Sequence, residues 1–164
     1  MRVLVTTGSK HGSTAEIGHA IADVLSGEGI ETSILVPEDV ISLDGYHAVV
    51  LGSAVYAGHW MKSMRELVDR LSAGLAERHV WLFSSGPIGD PPQPDEDPVD
   101  VATIMEATGA RRHFVFAGKI DRKTLNFGER AIVSALKVAE GDFRDWDEIR
   151  DTALSIAEEL KTTV

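Results

Sequence analysis

The chain has 164 residues, no cysteine, 43% apolar residues and a formal net charge of −10. This length fits one domain able to bury roughly 70% of its unfolded surface. The missing thiols exclude disulfides, thiolate metal sites, Fe–S clusters and cysteine nucleophiles, and the negative charge argues against nucleic acid as a partner, so any redox role needs a borrowed cofactor.

Taken in chain order, Arg2 to Thr7 reads as a strand. Its apolar run, Val3 to Val5, is far short of a secretory core or a ~20-residue membrane span, so the expected location is the cytoplasm. Ser13 to Ser26 reads as a helix with Ile17, Ile21, Val24 and Leu25 as its buried stripe, ended by Gly27 and Gly29. A second strand, Ile30 to Val36, closes at Pro37, and a third, Ala48 to Gly52, is apolar throughout, as in a parallel sheet covered on both faces. Met61, Met64, Leu67, Val68 and Leu71 then recur at helical spacing, with Lys62, Arg65, Glu66 and Asp69 on the wet side. This methionine stripe reads as core.

Val80 to Phe83 gives a fourth strand. The loop Gly86 to Asp97 follows, where four prolines and several acids forbid regular structure. A helix opens near Pro98 and stops at Gly109; Phe114 to Ala117 is the fifth strand. The last helix spans Trp146 to Leu160, with Trp146, Ile149, Ala153, Ile156, Ala157 and Leu160 as its stripe. With neither repeat nor linker, residues 1–164 read as one domain. Right-handed crossovers make such a chain an open twisted sheet with helices on both faces, whose ligands bind beyond the carboxyl strand ends.

The loops after strands one, three and four are therefore the expected site. After strand one, Gly8-Ser9-Lys10-His11-Gly12-Ser13-Thr14 runs straight into the first helix, so amides and hydroxyls converge on its positive end. Ser9, Lys10, His11, Gly12, Ser13 and Thr14 are the expected phosphate contacts, Gly12 permitting close backbone approach. The competing reading is that Ser13 or Thr14 only caps the helix. A Walker A end and a three-glycine dinucleotide fingerprint are both missing. After strand three, Gly52 to Trp60 combines small residues with two aromatics, suited to a flat ring lying against backbone, and Ser84 to Gly89 is small, polar and turn-rich; Ser53, Ala54, Val55, Tyr56, Ala57, Gly58, His59, Ser84, Ser85 and Gly86 are the expected ring contacts.

Gly8 to Thr14 resembles the flavodoxin phosphate loop, Thr/Ser-x-Thr-Gly-x-Thr, with Ser9, Gly12 and Thr14 matching and His11 standing where the family has a hydroxyl. Asp44-Gly45-Tyr46, Gly52-Ser53 and Tyr56 resemble its second flavin region. The resemblance spans nearly the whole chain and implies an α/β, flavodoxin-like three-layer sandwich, with a five-stranded parallel sheet in the order 2-1-3-4-5 and FMN as cofactor. Within that family, Tyr56-Ala57-Gly58-His59-Trp60 and Gly141-Asp142-Phe143-Arg144-Asp145-Trp146 are similar to the menaquinone-dependent protoporphyrinogen IX dehydrogenase group. That similarity implies an FMN-dependent oxidoreductase with a quinone or a redox protein as partner and at most peripheral membrane contact. This chain departs from the group in its acidic, proline-rich loop after strand four, where the group carries a longer basic one. A carrier flavodoxin without its own substrate, and a deazaflavin in place of FMN, are the alternatives. A phospho-receiver of the same fold would need an aspartate where Gly52 and Ser53 stand.

Individual residues carry two readings each. Tyr56 and Trp60 either stack on the ring or close the sheet edge. Lys10 either balances a phosphate or lies exposed, and His11 and His59 either donate to the ligand or are solvated rim residues. Leu125 to Val138, apolar in mixed phase, reads as core or as a surface for a membrane or quinone tail. Asp95, Glu96 and Asp97 read as a solvated loop or a contact for a basic partner.

Overall fold

The computed structural model describes residues 1–86, 98–120, 129 and 141–163. The loop expected over 87–97, with Asp95 to Asp97, lies outside the described residues; so does Leu125 to Val138 apart from Glu129.

Strand β1 (Arg2–Gly8) is central because Val3, Leu4 and Val5 are buried on both faces of the sheet. It pairs in parallel with β2 (Glu31–Leu35) and β3 (Ala48–Tyr56); β3 pairs with β5 (His79–Ser85), and β5 with β6 (Arg112–Phe116). The order β2-β1-β3-β5-β6 is the expected 2-1-3-4-5, with the short strand β4 (His59–Trp60) added antiparallel on β3. Side-chain alternation divides the core. Val3, Val5, Val50, Trp81 and Phe83 face α1 (Ser13–Gly27) and α4 (Trp146–Thr162); Leu4, Val49, Leu51, Val80 and Leu82 face α2 (Lys62–Ala76) and α3 (Val101–Thr108). Three layers result.

Two of the parallel strands run further than the sequence reading allows. Ser53 to Tyr56 and Ser84 to Ser85, expected as loop, are strand, because the ladder continues through Ser53↔Ser84 and Ala54↔Ser85. The fifth parallel strand begins at Arg112 and ends at Phe116, leaving Ala117 outside, since Trp81↔Arg112 and Leu82↔His113 extend the pairing backwards. A second small sheet, β7 (Lys119–Ile120) with β8 (Gly141–Asp142), has no counterpart among the expected elements. Trp146 is not core: it is 42% exposed, with the Arg144 guanidinium 4.6 Å above its ring. At the first position of α4 it lies outside both core clusters.

Candidate functional site

Parallel pairing of β1, β3 and β5 brings their carboxyl ends, and the loops after them, to one rim. The loop after β1 enters α1 through Gly12, which has φ +87° and an open flank where a Cβ would project. Gly12 is the N-cap residue and gives no side-chain cap, so neither Ser13 nor Thr14 fills the role of the bland reading. Ser9 Oγ instead accepts the Gly12 N–H at 3.1 Å, folding the loop back on itself, and leaves its own proton for another acceptor. Thr14 is buried at the head of the helix.

The basic side chains of this loop are spent within the protein. Lys10 Nζ lies 3.1 Å from one oxygen of Glu129 and His11 Nε2 lies 2.9 Å from the other. Both side chains, expected to answer a ligand's charge, meet here the carboxylate of a residue 118 positions beyond His11. Tyr56, 40% exposed, stands near the same cluster, with Lys10 Nζ 5.9 Å from its ring centroid. Burial first, then the negative charge of Glu129, raise its phenol above the ordinary value, so the hydroxyl keeps its proton.

The second wall is a hairpin. Tyr56 pairs with His59 across a two-residue turn in which Ala57 (φ +50°) and Gly58 (φ +78°) both have positive φ. Registered opposite one another, Tyr56 and His59 share a face of that hairpin. Its tip is anchored from outside: Val99 N–H donates to Gly58 O at 2.8 Å, and the Asp100 carboxylate accepts the Trp60 N–H at 2.9 Å while lying 3.2 Å from His59 Nδ1. Trp60 is 1% exposed and points inward, its Nε1 donating to Ser84 Oγ at 2.8 Å, which removes it from the stacking candidates. Ser84 Oγ in turn lies 2.7 Å from His113 Nε2. Ser53 Oγ accepts the Met61 N–H and donates to Ala54 O, both at 2.8 Å.

Ser53 and Ser84, expected as contacts, are therefore buried and committed, and they shape the rim from beneath. The accessible wall is Ala54, Val55, Tyr56, Ala57, Gly58 and His59. Ser85 is buried, and Gly86 forms the third side: a Cβ on Gly118 would lie 3.1 Å from the Gly86 Cα, tighter than ordinary contact, so the loops after β5 and β6 approach closely there. Asp44-Gly45-Tyr46 falls at the other end of the sheet, before the amino end of β3, with Tyr46 4.9 Å beneath the Arg2 guanidinium. It cannot reach the rim. Residue reasoning missed Asp100, His113, Gly118 and Glu129, none of which stands in a motif; Arg144 stood in one without a role.

The comparisons agree with this geometry. The sequence profile of the flavodoxin domain family matches residues 4–147. The chain belongs to the flavodoxin domain family. Among solved structures, this flavodoxin domain is similar to a flavodoxin from the domain Archaea, at 19% identity and TM-score 0.68, covering 98% of this chain and 99% of that one. The Streptococcus pneumoniae TIGR4 flavodoxin matches at 17% identity and TM-score 0.63, each chain covered in full. Rubredoxin oxygen:oxidoreductase from the anaerobe Desulfovibrio gigas matches at 13% identity and TM-score 0.67, with 98% of this chain covering 36% of that one. The fold is thus shared with free-standing flavodoxins and with part of a larger oxidoreductase. Among the described residues of this flavodoxin domain, no helix is long and apolar enough to cross a membrane.

Proposed function

We propose that this flavodoxin domain binds FMN and transfers electrons through it. The observation that carries the reading is the start of α1: a helix of 15 residues whose N-cap, Gly12, supplies no side-chain acceptor for the first-turn amides. The residues fit the group. Ser9, Gly12, Ser13 and Thr14 would hold the phosphate through amides and hydroxyls, while Tyr56 with the backbone of Ala54 to Gly58 would face the ring on one side and Gly86 on the other. FMN, once bound, supplies the redox chemistry; the protein sets its orientation, its hydrogen bonds and the local charge.

Two finer readings follow from different observations. The Tyr56-to-Trp60 hairpin and the Gly141-to-Trp146 segment support an oxidoreductase similar to the protoporphyrinogen dehydrogenase group, passing electrons from a substrate to a quinone or other acceptor, in the cytoplasm or at a membrane surface. The end-to-end match with free-standing flavodoxins favours a carrier between redox proteins. Substrate oxidation coupled to quinone reduction by the FMN-loaded protein decides for the enzyme, and its absence alongside electron exchange with a redox protein decides for the carrier.

The phosphate grip has its own test. Replacing Ser9 and Thr14 together by alanine removes two hydroxyl contacts to a charged group worth ~1.5 to 3 kcal/mol each, so FMN affinity falls by about 10² to 10⁴. Titration of apoprotein against FMN, followed by flavin fluorescence, measures it. Unchanged affinity overturns the reading, and a deazaflavin bound in preference to FMN in the same titration corrects its ring.

A further inference from the structure

We propose that Arg144, outside the phosphate loop in sequence, is the positioning residue that aims the Thr14 N–H at the ligand's phosphate. This inference rests on the flavin reading above. Arg144 has a side chain only 3% exposed, and each part of its fork is held. Nε donates to Asp142 Oδ1 at 2.9 Å and Nη2 to Asp142 Oδ2 at 2.8 Å, a bidentate pair. The indole of Trp146 lies beneath the guanidinium. The hydrogen bonds to Asp142, ahead of all other influences, raise the guanidinium's proton affinity further, so its charge is permanent.

The remaining nitrogen, Nη1, donates to the carbonyl oxygen of Ser13 at 3.2 Å and lies 3.5 Å from Glu16. That carbonyl shares one rigid peptide plane with the N–H of Thr14. A cation fixed on the oxygen side therefore sets the direction of the donor on the other side, and polarises it as successive hydrogen bonds do. The anchor is itself held by backbone pairing. Asp142 pairs with Lys119 in the β7–β8 ladder, and the Phe143 N–H donates to Gly118 O at 3.0 Å. The segment from Asp142 to Trp146 thus clasps the head of α1 to the end of the sheet.

Helix stability alone gives no reason for an arginine here: its charge is answered by Asp142 and Glu16, and what remains is the Nη1 bond to the Ser13 carbonyl. The amino end of a helix carries partial positive charge, where a carboxylate stabilises and a guanidinium does not. α4 follows that rule, with the Asp145 carboxylate accepting from the Asp147 and Glu148 N–H groups. At the head of α1 the same stretch of chain delivers an arginine.

The test compares FMN with riboflavin, which lacks the phosphate, in wild-type protein and Arg144→Met. FMN affinity is expected to fall about tenfold, the worth of one hydrogen bond brought out of line, with riboflavin affinity unchanged. Arg144→Lys, which keeps the charge and loses the fork, recovers part of the loss. FMN and riboflavin weakening alike, or FMN unweakened in a folded Arg144→Met protein, overturns the proposal. Should that variant not fold, Asp142→Asn releases the fork while keeping the arginine; it must lower the FMN-to-riboflavin affinity ratio, and an unchanged ratio overturns the proposal. The ¹⁵N and ¹H shifts of the Thr14 amide in ligand-free wild-type and Arg144→Lys proteins test the clasp independently. A moved amide resonance in a wild-type protein that binds no flavin would support the clasp and remove the flavin reading; an unmoved one overturns the clasp itself.

Discussion

A methyl group added at Gly52 tests how tightly the sheet is packed beneath the rim. A Cβ built there would stand 2.1 Å from Cζ and 2.3 Å from Cε1 of Phe83, its registered partner on β5. Carbon atoms in ordinary contact are ~3.5 to 4 Å apart, so the ring must retreat by more than an ångström. It has nowhere to go: Phe83 is 1% exposed, and Phe116, equally buried, has its ring centroid 5.6 Å away. Gly52→Ala should therefore cost about 3 kcal/mol, the upper end for overpacking. In a domain of this size that lowers Tm by about 6 to 12 °C. The decisive assay is a double-mutant cycle by urea unfolding. Phe83→Leu removes all three ring atoms nearest the new methyl, so in that background Gly52→Ala should cost at least about 2 kcal/mol less. Equal costs in the two backgrounds would refute the steric argument.

Ser84 and Asp142 offer two further tests. Ser84→Ala strands the buried Trp60 Nε1–H and deprives His113 Nε2 of its neighbour, for a loss of about 2 kcal/mol by chemical denaturation; Trp60→Phe added to it restores part of that by deleting the orphaned donor. The Arg144 fork holds the Asp142 carboxyl below its ordinary range, chiefly by hydrogen bonding. A depressed folded-state pKa gives stability that is fully present above the unfolded value of ~3.9 and lost as pH falls through the folded one, so the wild-type advantage over Asp142→Asn should be flat from pH ~7 to ~5 and shrink below ~4. With Asp142 41% exposed, the pH-dependent part is at most about 1 kcal/mol, measured as the difference between two denaturation series.

What the sequence made legible follows from which forces are local. Val3, Leu4 and Val5 are apolar in an unbroken run, and burial on both faces of a parallel sheet demands that. Ile17, Ile21 and Leu25 repeat at helical spacing because one stripe of α1 meets the sheet. Strand ends were not legible, because small polar residues such as Ser53 and Ser84 read as loop while the ladder between β3 and β5 carries them on as strand. Arg112 and His113, polar at the start of β6, were hidden for the same reason. Within the candidate site, the glycine at position 12 and the hydroxyls beside it marked the turn into α1 from spacing alone, and the structure has Gly12 as the N-cap with Ser9 folded onto its N–H. The partners of Lys10, His11 and Trp60 were not legible in this way, since Glu129 and Asp100 lie 118 and 40 residues away and no periodicity links them.

The two helices that meet across the clasp show what is unusual about the site. α4 opens in the ordinary way, its Asp145 side chain accepting two first-turn amides. α1, 15 residues long and on the same face of the sheet, has instead a glycine N-cap at φ +87° with no side chain to offer. A chain that caps one helix with a carboxylate, gives its neighbour no side-chain cap, gathers Ser9 over that opening and sets a paired arginine against the first carbonyl concentrates amide and hydroxyl donors at one point. Leaving donors unpaired costs about 1 to 3 kcal/mol each where water is excluded. On the proposed reading, the FMN phosphate removes that cost on binding, so the weakness of α1 as an isolated helix and the strength of its grip on the cofactor have the same physical origin.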